Sequence, residues 1–254
     1  MVEFSVIIPA RFASLRLPGK PLRDVAGKTL IQRTYEAVKG SSATRIVVAT
    51  DDDGISQAVH DFGGEVCLTS VSHQSGTDRV AEAATSLELD SDDIVVNVQG
   101  DEPDMPGGLI DQVVEALVAN PSASVATAAT GLDNPGQFID PAVVKVVTDE
   151  KNFALYFSRA GIPFARNDAE GSADRVPWRL ARRHIGIYAY RVCYLHAFTA
   201  EPVTPLEASE RLEQLRALWR GDKIVVVEAR EAPSSGVDTL DDLEAAIRVF
   251  SRSG

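Results

Sequence analysis

The stretch FSVIIPARFASLRLPGKPL, residues 4–22, joins a short apolar run to a loop that is rich in proline, glycine and cations. The run FSVII (4–8) is typical of a buried β-strand. The loop after it contains Arg11, Arg16 and Lys20 and no acidic residue, although the chain of 254 residues has a formal net charge of −12. A purely cationic loop at the end of a strand in an acidic protein is therefore the first candidate for a binding site.

The rest of the first half alternates apolar strands with longer helical patterns. Predicted strands follow the first one at 45–50, 65–69 and 93–100, and predicted helices cover 28–40, 55–64, 76–89 and 109–120. Strands that are apolar throughout and separated by helices indicate an α/β fold, with a mostly parallel central sheet and helices on both faces.

The second half is less regular. Its predicted strands cover 124–130, 143–148, 153–158, 183–190 and 223–229, and its predicted helices cover 206–220 and 240–250. The polar residues 164–179 are interpreted as a loop or mobile flap. We predict one domain over 1–254, in which about 1–125 and 200–254 form the core and about 130–200 form a smaller insertion.

Composition and motifs exclude several classes of protein. The balance of 25 basic to 37 acidic residues argues against a general nucleic-acid binder. No run approaches the ~18 apolar residues of a membrane span, and the first residues, with an acid at position 3, do not form a signal peptide. Cys67 and Cys193 lie in apolar segments, so we expect two buried free thiols and a cytoplasmic protein.

Other sequence patterns give weaker signals or none. AGKT (26–29) resembles the end of a P-loop, but Leu22 stands where that motif needs glycine, and there is no G-x-G-x-x-G. The four histidines show no metal-ligand spacing. The acidic run Asp51–Asp53 either caps the next helix or binds a metal.

Polar residues collect where the strands of the predicted sheet end, which is where α/β sheets bind ligands. The loop after the first strand would hold phosphates, because the guanidinium groups of its arginines can donate two hydrogen bonds to one phosphate and its lysine supplies a compact positive charge. In VVNVQGDEP (95–103), Asp101 is either a turn residue or a ligand of Mg²⁺, a hard cation that also takes phosphate and water oxygens. The small residues of HQSGTDR (73–79) either cap a helix or accommodate a flat base.

Nine ordered segments carry a family resemblance. They are IPARFASLRLPGKPL, ATDDDGI, HQSGTDR, VVNVQGDEP, DPAVVKVV (140–147), ALYFSRAGIPF (154–164), RHIGIYAYR (183–191), PLEASERLEQLRALW (205–219) and GVDTLDDLE (236–244). Together, over about residues 4–249, they are similar to the 3-deoxy-manno-octulosonate cytidylyltransferases, the CMP-Kdo synthetases of Gram-negative bacteria. Sialic-acid cytidylyltransferases share the cationic loop but lack much of the second-half set.

The resemblance implies a reaction and an architecture. CTP and 3-deoxy-D-manno-octulosonate (Kdo) would give CMP-Kdo, for lipopolysaccharide biosynthesis, and pyrophosphate, with Mg²⁺ as cofactor. The fold would be a Rossmann-like nucleotidyltransferase, and the insertion would bind the sugar and build a homodimer. This sequence departs from the usual loop at Phe12 and Leu15, where tyrosine and threonine are expected, so any hydrogen bond from those hydroxyls is absent.

Site residues follow from charge and from the resemblance. Arg11 and Lys20, with Arg16 alongside, should hold the phosphates, and Asp101 and Asp238 should hold Mg²⁺; we expect Arg11, Lys20, Asp101 and Asp238 to be catalytic. The expected CTP-binding residues are Pro9, Ala10, Arg11, Arg16, Lys20, Ser75, Gly76 and Gln99. The expected sugar-binding residues are Arg79, Gln99, Arg159, His184, Tyr188, Glu213 and Gln214.

Several alternatives stay open from the sequence. Asp238 is also well placed to lead into a capping box at Thr239–Asp242, Arg159 to pair with a carboxylate, and His184, Glu213 and Gln214 to face solvent. The acceptor could be 8-amino-Kdo or sialic acid, a difference of pocket detail. Two competing functions are a nucleotide-binding regulator without turnover and a metal-dependent glycosyltransferase. In the glycosyltransferase, the acidic run Asp51–Asp53 would bind the metal.

Overall fold

The computed structural model describes residues 2–13, 17–164, 177–234 and 236–252. Its strands are β1 (Phe4–Ala10), β2 (Arg45–Thr50), β3 (Glu65–Leu68), β4 (Ile94–Val98), β5 (Val125–Gly131), β6 (Lys145–Thr148), β7 (Ala154–Ser158), β8 (Arg182–Arg191) and β9 (Ile224–Glu228). Its α-helices are α1 (Leu30–Val38), α2 (Asp53–Asp61), α3 (Gly76–Ser86), α4 (Gly107–Ala119), α5 (Pro135–Ile139), α6 (Val192–Thr199), α7 (Pro205–Glu210), α8 (Leu215–Trp219) and α9 (Leu240–Phe250).

A central sheet in the order β3-β2-β1-β4-β8-β5-β9 organises the molecule. β8 runs antiparallel to both of its neighbours, β4 and β5, while the other ladders of this path are parallel. Six of the seven strands therefore share one direction, and the predicted mostly parallel sheet is confirmed. β6 pairs with the start of β8 and with β7, so these two strands extend the sheet to one side.

Helices cover both faces of the sheet, as predicted. Successive residues of β1 enter opposite cores: Val6 and Ile8 pack with α1, α2 and α4, whereas Ile7 packs with α3, α6 and α8. All seven residues of β1 are buried, because a parallel strand between two helical layers has no solvent face. Each such aliphatic side chain stabilises the fold by about 1.5–3 kcal/mol.

Two expectations from the second half were wrong. The helix predicted at 206–220 is two short helices, α7 and α8, because Arg211 has a left-handed backbone (φ 53°) that ends α7. Cys193 was expected to be buried, but it lies near the start of α6, a helix that the sequence did not predict, and is exposed. Cys67 is buried in β3 as expected, and both thiols are free.

The acidic run has a structural role in this fold. Asp52 is the N-cap of α2 and accepts a hydrogen bond from the backbone N–H of Ile55 at 2.8 Å, and Asp51 pairs with Arg79 at 2.9 Å. These contacts favour the capping interpretation over a metal site. Within the described ranges, no three His, Cys, Asp or Glu side chains are grouped so that they could hold a metal.

The predicted division into a core and an insertion stays a prediction. β8 comes from the range 130–200 but lies inside the central sheet, between β4 and β5. Of the predicted flap at 164–179, residues 165–176 lie outside the described residues. None of the helices in the described part of the chain has the length and apolar character needed to span a bilayer.

Candidate active site

A cleft of about 1200 Å³ opens at the carboxyl ends of β1 and β4. Loops that follow these strands meet there with the start of α3, the end of α7 and the segment that precedes α9. The lining residues are Pro9, Ala10, Arg11, Ala13, Lys20, Pro21, His73, Gln74, Ser75, Gly76, Arg79, Gln99, Gly100, Asp101, Arg159, Arg211 and Asp238. The cleft is thus where parallel α/β sheets bind ligands.

Lys20 contacts both acidic residues that were expected to hold a metal. Its Nζ donates to Asp101 Oδ2 at 2.5 Å and to Asp238 Oδ1 at 3.1 Å. Burial opposes the charge on Lys20, but the two carboxylates outweigh burial and raise the pKa of this ammonium. One cation therefore already lies between the two carboxylates, which come from positions 137 residues apart.

A small apolar cluster holds these side chains together. Leu17, Val25, Leu30, Val237 and Leu243 are all buried against one another, and α9 packs on them through the last of these. Leu17 precedes the short turn that begins at Lys20, and Val237 directly precedes Asp238. The backbone N–H of Val237 also donates to the carbonyl of Asp101 at 2.9 Å, so the two carboxylates are fixed by backbone as well as by packing.

The capping role proposed for the segment before α9 is real, but it leaves the side chain of Asp238 in the cleft. Thr239 and Asp242 form the capping box of this helix. Asp238 contributes its backbone N–H to Asp242 Oδ2 at 3.1 Å, while its carboxylate reaches Lys20. The two interpretations of this segment are therefore compatible.

Asp101 and Asp238 fit a hard divalent cation. Both offer carboxylate oxygens, and the ammonium between them marks a position where positive charge is stabilised. Mg²⁺ is usually held by one or two carboxylates and completes its octahedron with phosphate and water oxygens. Two protein ligands at the edge of an open cleft match that requirement.

Another part of the cleft wall is built from close backbone contacts and a helix end. A Cβ on Gly100 would lie 2.9 Å from the carbonyl of Pro9, and one on Gly76 would lie 3.3 Å from both Pro9 and Gln99. These glycines let the ends of β1 and β4 approach α3. Ser75 caps this 11-residue helix, whose N-terminus lies at the cleft and favours negative charge.

The expected sugar-binding residues divide into two groups. Arg79, Gln99 and Arg159 line the cleft, whereas His184, Tyr188, Glu213 and Gln214 are not among the lining residues of the described chain. The guanidinium of Arg79 is also engaged, because it donates to Thr69 Oγ1 at 2.5 Å and to Asp51. The guanidinium of Arg159 donates to backbone carbonyls rather than to a carboxylate.

The second group lies behind the wall that contains Ser75. Glu213 accepts hydrogen bonds from Ser75 Oγ at 3.1 Å and from Thr77 Oγ1 at 2.7 Å, and burial raises the pKa of its carboxyl. His184 Nε2 lies 3.0 Å from Thr127 Oγ1, and burial, with the Arg183 charge, lowers its pKa to about 3. Burial also raises the pKa of Tyr188.

Gln214 is 7% exposed, and its buried Nε2 has no hydrogen-bond partner among the described residues. Gln214 is buried and His184 is half-buried, so neither faces open solvent, whereas the side chain of Glu213 is 30% exposed and the solvent alternative is only partly excluded for it. Their binding roles stay predictions.

Six lining residues were not among the predicted site residues, and three of them, His73, Gln74 and Arg211, have polar side chains. His73 and Gln74 belong to the HQSGTDR segment, so their position in a strand-end loop was the available signal. Arg211 lines the cleft because α7 ends there. The sequence analysis predicted one continuous helix over 206–220, so it did not indicate that this residue would lie at the cleft. Arg16, expected beside the phosphates, lies outside the described residues.

Comparisons with known proteins agree with this site. A family model described as cytidylyltransferase matches residues 5–224. Proteins named 3-deoxy-manno-octulosonate cytidylyltransferase are similar to the chain. The one from Hahella chejuensis is 52% identical over all of both chains. The one from Pseudomonas syringae pv. syringae is 51% identical over 97% of this chain and 98% of its own.

Solved structures share the fold. A CMP-2-keto-3-deoxy-manno-octonic acid synthetase complexed with CTP is 36% identical over the full length of both chains, with a TM-score of 0.89. A 4-diphosphocytidyl-2C-methyl-D-erythritol synthase from Anaerococcus prevotii, 18% identical with a TM-score of 0.63 over 99% of this chain and 97% of its own, shows the same fold alone. The chain therefore belongs to the 3-deoxy-manno-octulosonate cytidylyltransferases, a family of CTP-dependent nucleotidyltransferases.

Proposed function

We propose that this cleft transfers the cytidylyl group of CTP to the anomeric hydroxyl of Kdo, producing CMP-Kdo for lipopolysaccharide biosynthesis and releasing pyrophosphate. The observation that supports this function best is the meeting of Lys20 with Asp101 and Asp238 at the edge of the cleft. A phosphate-binding cation and a seat for a metal are the two parts that displacement at a triphosphate requires.

The chemistry asks the protein mainly for position and charge. The sugar oxygen forms a bond to the α-phosphorus, the bond from that phosphorus to the bridging oxygen breaks, and the hydroxyl proton leaves to solvent. Arg11 and Lys20 neutralise the phosphates of CTP, and the N-terminus of α3 adds partial positive charge. Asp101 and Asp238 would hold Mg²⁺, which when bound neutralises phosphate charge and makes the sugar hydroxyl more acidic.

The acceptor end of the cleft needs a cation for the carboxylate of the sugar acid. Arg159 and Arg211 line this side together, and the carbonyl of Arg211 lies 3.5 Å from a guanidinium nitrogen of Arg159. We assign the carboxylate to this side because Lys20 and Arg11 are required for the phosphates. Gln99 offers a neutral hydrogen-bonding group between the two ends.

A homodimer is supported by exposed apolar side chains in one part of the chain. Ile139, Leu155, Phe164 and Leu180 are between 61% and 88% exposed. All four come from the range 130–200 that was expected to build the dimer, and exposed apolar side chains of this kind are needed at an interface between subunits. Light scattering of the purified chain should give about twice the mass of one chain, and a monomer at micromolar concentration would contradict this part. The cytoplasmic location stays a prediction.

The activity is tested by pyrophosphate release from CTP and Mg²⁺ with Kdo, 8-amino-Kdo and sialic acid side by side. We expect release with Kdo and a much lower kcat/KM with sialic acid. Faster release with 8-amino-Kdo would keep the reaction and change the acceptor. CTP binding without release in the presence of any of these acids would favour the regulator and contradict the proposed function.

A further inference from the structure

Lys145 is a charged side chain with no exposure to solvent. It lies on β6, is 0% exposed, and uses its ammonium on three main-chain carbonyls. The acceptors are the carbonyls of Asp140 at 2.8 Å, Val143 at 2.6 Å and Arg159 at 2.6 Å. All three protons of the ammonium therefore have partners, and these partners come from two separate segments.

The residue held at the end of this network is Arg159, which lines the cleft. Its own carbonyl accepts from Lys145, and its backbone N–H donates to Glu210 Oε2 at 3.0 Å. Glu210 also accepts from the hydroxyl of Ser158 at 2.7 Å. Two buried or half-buried groups of opposite charge thus fix the peptide groups on both sides of one cleft arginine.

The same lysine supports the guanidinium of Arg159. Nη1 of Arg159 donates to the carbonyl of Pro141 at 2.9 Å, and Pro141 lies between the two loop carbonyls that Lys145 binds, at 140 and 143. The Nε of Arg159 donates to the carbonyl of Glu210 at 2.8 Å. The direction of the guanidinium is therefore set by the loop that Lys145 holds in place.

Packing alone does not account for a lysine at this position. Removing an ammonium from water is costly, and an apolar side chain of similar volume often stabilises a core at least as well. Burial accordingly lowers the pKa of Lys145. What an apolar residue cannot do is draw three carbonyls toward one point, one of them belonging to a residue of the cleft.

We propose that Lys145, together with Glu210, is a positioning residue that orients Arg159 toward the carboxylate of the acceptor sugar acid. This inference rests on the proposed function, because it assigns the acceptor to the Arg159 side of the cleft. Misplacement of a substrate-positioning group by about 1 Å costs on the order of 100-fold in rate. On the nucleotide side, the hydrogen bonds of Lys20 to described residues go to Asp101 and Asp238 and not to this network.

The test compares KM values for the two substrates in Lys145→Met, Lys145→Gln and Glu210→Gln. We expect Lys145→Met to raise KM for Kdo by about tenfold or more, with KM for CTP within twofold of wild type. Lys145→Gln keeps two N–H donors and should show a smaller rise. Glu210→Gln loses one acceptor and should show the same selectivity, which decides the question if the Lys145 variants do not fold.

Val146→Ala is the matched control. Val146 follows Lys145 on β6, is 0% exposed and packs in the core, so its truncation destabilises the same strand without touching Arg159. It should leave the ratio of the two KM values unchanged. Equal rises for both substrates, an unchanged KM for Kdo, or the same selective rise in Val146→Ala would overturn the positioning role. Wild-type enzyme that releases no pyrophosphate with Kdo would instead refute the proposed function.

Discussion

Replacing Lys20 with methionine should destabilise the free enzyme and make its stability respond strongly to Mg²⁺. The ammonium contacts two carboxylates, at 2.5 Å and 3.1 Å, and its own side chain is 14% exposed. Without it, Asp101 and Asp238 lose the ammonium that both of them contact. The free enzyme of this variant is then short of one cation, which Mg²⁺ can supply.

The two contacts differ in weight. Asp101 is 28% exposed, and a hydrogen bond between charged groups contributes about 1.5–3 kcal/mol. Asp238 is 45% exposed, so solvent screening leaves about 0–1 kcal/mol for its pair. Methionine returns up to about 1 kcal/mol by burial of its apolar stem. The net loss is about 2 kcal/mol, which lowers Tm by about 4–8 °C for a chain of this size.

Thermal unfolding with and without Mg²⁺, in the absence of nucleotide, measures both effects. Mg²⁺ at ten times its Kd stabilises by about 1.4 kcal/mol, and in wild type the ammonium competes for the same oxygens. Lys28→Met is the control, because the Lys28–Glu36 pair is 39% and 37% exposed and should contribute less than about 1 kcal/mol. The reasoning would be refuted if Lys20→Met had the same Tm as wild type, or if Mg²⁺ raised its Tm by no more than it raises the Tm of Lys28→Met.

Three further predictions follow from the site and its supports. Asp101→Asn should reduce pyrophosphate release by about 100-fold or more while CTP binding, measured by calorimetry, largely persists; unchanged turnover would remove Asp101 from the mechanism. Val237→Ala, at 1% exposure, should lower the free energy of unfolding by about 2 kcal/mol and reduce kcat by loosening Asp238, as urea titration and initial rates would show; full activity would mean that the apolar cluster does not position this carboxylate. Burial lowers the pKa of His184 to about 3. The unfolded chain therefore binds a proton on His184 below about pH 6.5, whereas the folded chain binds it only near pH 3. The free energy of unfolding consequently falls as the solution is acidified. Between pH 7.5 and 5, His184 should account for a loss of about 2 kcal/mol in the free energy of unfolding, and His184→Gln should not show this loss. An identical pH dependence of the urea midpoint in wild type and His184→Gln would contradict the lowered pKa of His184.

Periodicity predicted the first half of the fold because its strands are buried on both faces. The run predicted at 45–50 coincides with β2, and the run at 4–8 extends only by two residues in β1. Apart from the edge strand β3, these strands are apolar at most positions, and the helices between them show one apolar face each. Sequence pattern is a strong signal where both layers of a sheet are covered.

The break between α7 and α8 could not be predicted in the same way. Leu212, Leu215 and Trp219 have helical spacing, which indicated one continuous helix. Trp219 is nevertheless 54% exposed, and Arg211 adopts a left-handed conformation that arginine rarely favours. Tertiary packing, rather than a local signal such as glycine, determines this break.

The site was partly predictable for a similar reason. Strand ends in a parallel sheet meet at one edge, so Arg11 and Asp101 could be placed together from the order of the elements. Asp238 required the family resemblance, because its position depends on contacts of Val237 with distant segments. Lys145 lies in DPAVVKVV, a segment of the family resemblance, but nothing in the sequence indicated its burial or its contacts, since lysine is rarely buried and its three acceptors are backbone groups.

The reversed strand β8 has a consequence for how the molecule unfolds. It hydrogen-bonds to β4 on one side and to β5 on the other, and it also begins the ladder with β6. Neither the first 120 residues nor the remainder can therefore satisfy its backbone groups alone. We expect the chain to unfold in a single cooperative step. We also expect the two fragments 1–120 and 121–254 to regain structure only when they are mixed.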